Sequence, residues 1–125
     1  MKYAIIVVRV LLGLMFAVFG SNAFLHFIPM PPLPPGDAGA FIGALINSGY
    51  IYVIGAFEVI GGLCLLIGSR FVPFGLTLLG PIIVNIVLFH LFLDHVANPV
   101  AIVASFMALF LLWVYRFKFP AIFRP

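Results

Sequence analysis

The amino-acid sequence predicts an all-α fold, a membrane four-helix bundle with a short interfacial helix between the first and second spans. Of the 125 residues, 66% are hydrophobic and only 7% are charged, and the mean hydropathy is +1.35. A soluble domain carries roughly 25% charged residues. Apolar stretches of near-spanning length occur at about 4–27, 50–68, 71–93 and 100–115. We therefore expect residues 1–125 to form a single transmembrane domain.

Charge and cysteine content exclude several classes of protein. The formal charge of +3 arises from basic residues at the ends of segments, which indicates membrane topology and not nucleic-acid binding. Cys64 is the only cysteine, so an internal disulfide and a C-x-x-C redox pair are excluded. By helical phase it lies opposite Gly55, as a small lipid-facing or packing residue. There is no H-E-x-x-H, nucleophile elbow or phosphate loop, and we predict no cofactor.

The first segment has two interpretations. Lys2, the apolar run and the small residues at 21–23 resemble a secretory signal peptide with its cleavage site. We favour a membrane span, because the run is long, Arg9 interrupts it, and the rest of the chain is itself apolar. Helical spacing places Arg9, Gly13, Phe16 and Gly20 on one stripe, and Asn22 and His26 on another near the far end.

A proline-rich strap and a short helix are predicted to follow. Five prolines between positions 29 and 35 exclude a helix there and favour a stiff polyproline-like segment. Asp37 is the predicted N-cap of a helix over 38–47, which ends at Ser48 and Gly49. This helix is too short to span, so we expect it to lie in the membrane interface.

The second span contains Glu58, the only glutamate in the chain. A charge at that depth costs about 2.5–3.5 kcal/mol unless it is paired or protonated. Gly55 and Gly62 share a helical face with Glu58 and allow a neighbouring helix to approach closely. We therefore expect Glu58 to point into the bundle and the glycines to lie at a helix crossing.

The third and fourth spans carry further polar and small residues. Pro81 is expected to kink the third span, which also contains Asn85 and His90. The fourth span has a small-residue packing stripe and ends in interfacial aromatic residues. The stripe is Ala101, Ala104, Ser105 and Ala108, and the aromatic residues are Trp113 and Tyr115.

The distribution of charge predicts the orientation of the spans. All basic residues fall on one side, whereas Asp37 and Asp94 fall on the other. The basic residues are Lys2, Arg9, Arg70, Arg116, Lys118 and Arg124. The positive-inside rule then places both termini in the cytoplasm, and we predict a multi-pass protein of the bacterial inner membrane.

The polar residues within the spans have two interpretations. They line a pocket or a proton path, or they only form hydrogen bonds that hold the helices together. Helix rise places Glu58 level with Pro81, so Asn85 is the expected contact of Glu58. Arg9 is the alternative contact of Glu58, through water or a bound lipid headgroup. In the simpler interpretation, its side chain extends to the cytoplasmic headgroups and does not contact Glu58. The predicted site comprises Glu58, Asn85, His90, Arg9, Asn22 and His26. The three histidines His26, His90 and His95 are weak evidence for a metal or haem site, so we predict neither.

Nearly the whole chain carries diffuse motifs of one family. They are RVLLGLMFAVFG at 9–20, GAFIGALINSG at 39–49, FEVIGGLCLLIG at 57–68 and GPIIVNIVLFHLF at 80–92. In these the chain resembles the DoxX-like family of small four-helix membrane proteins, and Asn and His in the third helix are typical of a subset. The proline-rich strap departs from the shorter loop expected of that family.

The resemblance implies an accessory role in membrane redox systems. Some family members are subunits of a thiosulfate:quinone oxidoreductase, and relatives are linked to redox or assembly work in bacterial inner membranes. The characteristic Arg and Glu of the family correspond to Arg9 and Glu58, and no redox cofactor site carries over. We expect a binding or accessory subunit that handles a quinone-like or other amphipathic molecule, with the bilayer and other redox subunits as partners. The alternatives are a structural or assembly protein, and a small enzyme or proton-coupled carrier in which Glu58 titrates.

Overall fold

The computed structural model describes residues 1–27, 32–94 and 99–123, with the backbone alone at 120–123. The fold is all-helical over these ranges, which confirms the predicted class. The α-helices are α1 (Lys2–Leu25), α2 (Gly36–Ser48), α3 (Tyr50–Ile67), α4 (Val72–Phe92) and α5 (Pro99–Val114). Short 3₁₀ segments occupy Ser69–Phe71 and Arg116–Phe123. Within the described ranges, α1, α3 and the segment Ser69–Phe92 are long and apolar enough to cross a membrane, whereas α5 has 16 residues.

One apolar core is shared by α1, α3, α4 and α5. Its fully enclosed side chains are Leu12, Leu65, Val72, Leu79 and Leu111, each 0% exposed. Many other large apolar side chains point outward, including Phe106 at 68% and Leu109 at 60% exposure on α5. Such a surface is unstable in water and stable in lipid, which supports the prediction of a membrane protein.

Glycines set the closest helix crossing, between α1 and α3. A Cβ on Gly62 would lie 2.6 Å from the Gly13 oxygen and 2.7 Å from the Ala17 nitrogen, and a Cβ on Gly20 would lie 2.7 Å from the Gly55 oxygen. These pairs run in opposite sequence order, so the two helices are antiparallel. The predicted glycine face of α3 is confirmed, because only hydrogen side chains allow backbones to approach so closely.

A second glycine contact joins α3 to α4. A Cβ on Gly61 would lie 2.6 Å from Leu79, and a Cβ on Gly75 would lie 3.0 Å from the Cys64 Cβ. Cys64 is thus a buried packing residue, and the lipid-facing alternative for it is wrong. The reason is that α3 has two packed faces, one against α1 and one against α4, so the side opposite Gly55 is not free for lipid.

The connection before α3 differs in detail from the sequence prediction. Helix α2 is present, but it begins at Gly36 after Pro35, which occupies the N-cap position in an extended conformation. Asp37 therefore lies in the first turn and is not the N-cap. Gly49 ends α2 at φ 82° and forms the one-residue turn into α3, a backbone conformation that glycine adopts without strain. Of the predicted strap, positions 28–31 lie outside the described residues.

Helix α5 closes the bundle with its small-residue stripe. Ala104 and Ala108 are buried in the core, and Ser105 is half-buried and donates to the Ala101 carbonyl at 2.8 Å. At its end, the buried Tyr115 hydroxyl donates to Ser69 Oγ at 3.1 Å, which ties α5 to the α3–α4 turn. The start of α1, this turn and the end of α5 therefore meet at one end of the bundle. We call it the basic end, because it carries Lys2, Arg9, Arg70, Arg116 and Lys118.

Candidate functional site

Glu58 lies at the α1–α3 crossing, as the sequence predicts. A Cβ on Gly20 would lie 2.8 Å from the Glu58 Cβ and 2.9 Å from the Val59 nitrogen. The side chain is half-buried. It makes no hydrogen bond or ion pair with any of the described residues. The Cβ of Glu58 is therefore close to the α1 backbone, and its carboxyl group has no protein partner among the described residues.

Two glycines of neighbouring helices lie near the level of Glu58 along the bundle. The register of α3 against α4, fixed by Gly61 with Leu79 and by Cys64 with Gly75, places Gly80 within two residues of the level of Glu58. A Cβ on Gly80 would meet nothing within 4 Å. With Gly20 on α1, glycines of two helices thus lie near this level, and the surface of α4 at Gly80 has no close neighbour.

Asn85 does not join Glu58, so the predicted contact is wrong in this structure. Asn85 is exposed on α4, and no hydrogen bond joins it to Glu58. A helix turns about 100° per residue, so Asn85 lies on the opposite side of α4 from the buried residues Ile83 and Leu76. The rise per residue places it near the right depth, but its helical phase directs it away from the bundle.

His90 faces the bundle, but it does not lie at the level of Glu58 along the helix axis. It follows Ile83 by two helical turns on the same face. Its Nδ1 donates to the Ile86 carbonyl at 2.8 Å, since a carbonyl oxygen can only accept. Ten residues separate His90 from Gly80, about 15 Å along the helix. No direct path of protein groups therefore connects His90 with Glu58 along α4.

The remaining histidine and asparagine of the predicted site lie at the end of α1. His26 is exposed and caps the helix at φ 55°, with its N–H bonded to the Asn22 carbonyl. Asn22 is half-buried. Neither position is level with Glu58, and in the described part of the chain no three His, Cys, Asp or Glu side chains cluster as a metal site requires. His95 lies outside the described residues.

Arg9 is separated from Glu58 along the α1–α3 register. Gly20, which touches Glu58, lies 11 residues after Arg9, about 16 Å along α1. No ion pair forms between Arg9 and Glu58, and the Arg9 Nε and Nη1 atoms are buried without a hydrogen-bond partner among the described residues. The alternative contact of Glu58 with Arg9 is therefore absent as well.

An apolar groove that the sequence did not indicate lies on the outside of the α1–α3 pair. It is a shallow groove, open along the helix surface, with a volume of about 330 Å³. It is lined by Ser21, Phe24, Leu25, Ala56, Val59 and Ile60. Val59 connects the groove to the crossing, because its nitrogen faces Gly20 beside Glu58. In the sequence, only the small residues Ala56 and Ser21 indicate this groove. Many packed helices carry small residues in the same way, so they do not predict a groove.

Two features limit what the groove can bind. The Ser21 hydroxyl donates to the Ala17 carbonyl at 2.7 Å, so its oxygen is left to accept. The rings of Phe24 and Tyr52 pack at 5.5 Å near the start of α3. The groove thus suits a hydrocarbon chain or a flat ring that enters from the surrounding lipid.

Comparison of the chain with known protein families, with curated proteins and with solved structures finds no match.

Proposed function

We propose that this protein is a four-span protein of the bacterial inner membrane that binds a quinone-like or other amphipathic small molecule for a membrane redox system. As an accessory subunit it acts with other redox proteins, and it belongs to the DoxX-like group of four-helix membrane proteins. The apolar part of the ligand lies in the groove between α1 and α3. Its polar head lies at the level of Glu58.

The observation that carries this proposal is the Glu58 carboxyl group. It lacks a protein partner among the described residues, and it lies at the same crossing as Val59, which lines the groove. An intramembrane carboxyl group is costly, so such residues usually mark a ligand or ion pathway. A carboxyl group can accept from a hydroxyl head, or donate to a carbonyl head when it is protonated.

Glu58 itself does not line the groove, so the two parts of the proposed site are tested separately. Small molecules that co-purify with the wild type are identified by mass spectrometry and compared with those of Glu58→Gln, which keeps the shape, and Ala56→Phe, which fills the groove. Both variants are expected to lose the same amphipathic molecule. Asn85→Leu, on the exposed side of α4, is the control and is expected to keep it. Retention of the molecule by both site variants would contradict the proposed site.

Four spans place both termini on one side of the membrane, and the positive-inside rule predicts that this basic end faces the cytoplasm. The described basic residues lie at one end of the bundle, and Asp37 and Asp94 follow α1 and α4 at the other. Reporter fusions after Ala38 and after Pro125 are therefore expected to report opposite sides of the membrane, with Pro125 cytoplasmic. If both fusions report the same side, α5 does not span and the four-span proposal is wrong.

A structural or assembly function is the second candidate, and the glycine packing of the bundle favours it. The Ser21, Thr77 and Ser105 hydroxyl groups bond to carbonyl groups of their own helices, so they do not join one helix to another. No polar or charged side chain is fully buried in the described core. The glycine crossings alone can hold such a bundle together. On this hypothesis the helices serve to present a surface to partner proteins, and Glu58 has no ligand.

A further inference from the structure

We propose that Arg9 binds a phosphate-type anion at the basic end of the bundle, in a site separate from Glu58. The Nε and Nη1 atoms of Arg9 are both buried without a hydrogen-bond partner in the described part of the chain. A buried donor left unpaired costs about 1–3 kcal/mol, and more when the group is charged. Because a guanidinium keeps its proton in proteins, this cost is relieved only by an acceptor.

The chain itself supplies no acidic partner for this guanidinium. Its sequence contains only three acidic residues. Asp37 and Asp94 belong to the opposite end of the bundle, and Glu58 is about 16 Å away along α1. No acidic side chain of the described residues therefore supplies the countercharge, and we assign it to a bound anion.

The position of Arg9 suits an anion that arrives from the membrane surface. Arg9 lies one turn before Gly13, which packs against Leu66 close to the α3–α4 turn. It shares a helical face with Gly13 and Phe16, both buried. Its third nitrogen, Nη2, is neither buried nor bonded to the described residues. One edge of the guanidinium is thus open to a ligand, while the rest is enclosed.

The other arginines of the basic end have their own contacts. The Arg116 guanidinium lies 4.6 Å from the Trp113 ring centroid and 4.5 Å from that of Phe117, and it donates to the Trp113 carbonyl. The Arg70 guanidinium lies 5.9 Å from the Phe71 ring centroid, at the surface. These residues add positive potential around the site. Among the described arginines, Arg9 alone combines buried atoms with unpaired donors.

Phosphate is the anion that this arrangement recognises best. The planar fork of a guanidinium offers parallel N–H donors that match two oxygens of one phosphate group. Such a group is carried by the headgroup of an anionic phospholipid or by a small soluble phosphate. This inference rests on the proposed membrane insertion and is independent of any ligand at Glu58.

Thermal unfolding in mixed micelles tests the site. The protein is purified in a phosphatidylcholine micelle, and phosphatidylglycerol or inorganic phosphate is added in separate titrations. We expect phosphatidylglycerol to raise the Tm of the wild type and of Arg70→Gln, but not of Arg9→Gln, although both variants lose the same charge. An Arg9-dependent rise with inorganic phosphate alone would instead identify a soluble phosphate as the ligand, with the same site.

Two results would overturn the proposal. One is an equal rise of Tm in the wild type and in Arg9→Gln, which would show that the lipid acts on the surface charge in general. The other is a wild-type Tm that neither additive raises. If Arg9→Gln does not fold, Arg9→Lys serves in its place. Lysine lacks the planar fork of a guanidinium, so Arg9→Lys is expected to need about tenfold more phosphatidylglycerol to reach half of its rise in Tm. An unchanged requirement for phosphatidylglycerol would also contradict the site.

Discussion

Gly62→Leu is expected to give the largest loss of stability of any single change at a helix crossing. Even the first carbon of the new side chain would lie 2.6 Å from the Gly13 oxygen and 2.7 Å from the Ala17 nitrogen. Both atoms belong to the backbone, so neither can rotate away. The helices α1 and α3 must separate, at a cost of at least about 1–3 kcal/mol for overpacking. The measurement is thermal unfolding in detergent.

The matched control for this prediction is a pair of alanine variants. Gly62→Ala places a methyl group against the α1 backbone, whereas Gly80→Ala places one where nothing lies within 4 Å. We expect Gly62→Ala to lower the Tm and Gly80→Ala to raise it, because alanine in a helix is favoured over glycine by about 0.5–1 kcal/mol. Similar effects of the two variants would show that the α1–α3 crossing is not as close as described.

Glu58→Leu is expected to raise stability and to abolish function. In the described structure the carboxyl group has no protein partner to lose. Insertion scales put the penalty for a charge at mid-membrane at about 2.5–3.5 kcal/mol, and leucine removes it. A gain in stability with a loss of activity is the usual sign of a residue retained for its function. The measurements are the Tm in detergent and the growth or redox phenotype of cells that lack the wild-type copy.

Glu58→Gln separates the two functions proposed for the protein. It keeps the shape and removes the charge, so the bundle is expected to remain folded while ligand binding and function are lost. Under the structural alternative, Glu58→Gln retains full function. In that case Glu58→Leu retains full function as well, because the carboxyl group has no protein contact to lose. A fully functional glutamine variant would therefore end the ligand proposal.

The apolar segments and their small-residue faces are the parts of the fold that could be predicted from the sequence. Helical periodicity depends on the chain alone, so the stripe with Gly13, Phe16 and Gly20 is found on the buried face of α1. The glycine face of α3 at Gly55 and Gly62 is predictable for the same reason, since only close approach explains so many glycines on one side.

The candidate site was less predictable, because it depends on the rotation of each helix about its own axis. The rise per residue places Asn85 near the depth of Glu58, but the rotation of α4 is fixed by the packing of Gly75 and Leu79 against α3. That packing turns Asn85 outward. The groove beside Val59 and Ile60 likewise arises from two helices together, and neither helix shows it alone.

The length of α5 has a consequence for the membrane itself. Its 16 residues reach about 24 Å, whereas a typical hydrocarbon core is roughly 30 Å thick. If α5 spans the bilayer, this side of the protein is shorter than the lipid around it, and the lipid must thin locally to meet Trp113 at its end. Such hydrophobic mismatch sorts proteins between membranes. A four-span protein of these dimensions is therefore expected to favour thin bilayers, with lipid next to α5 different in height from lipid next to the 24-residue α1.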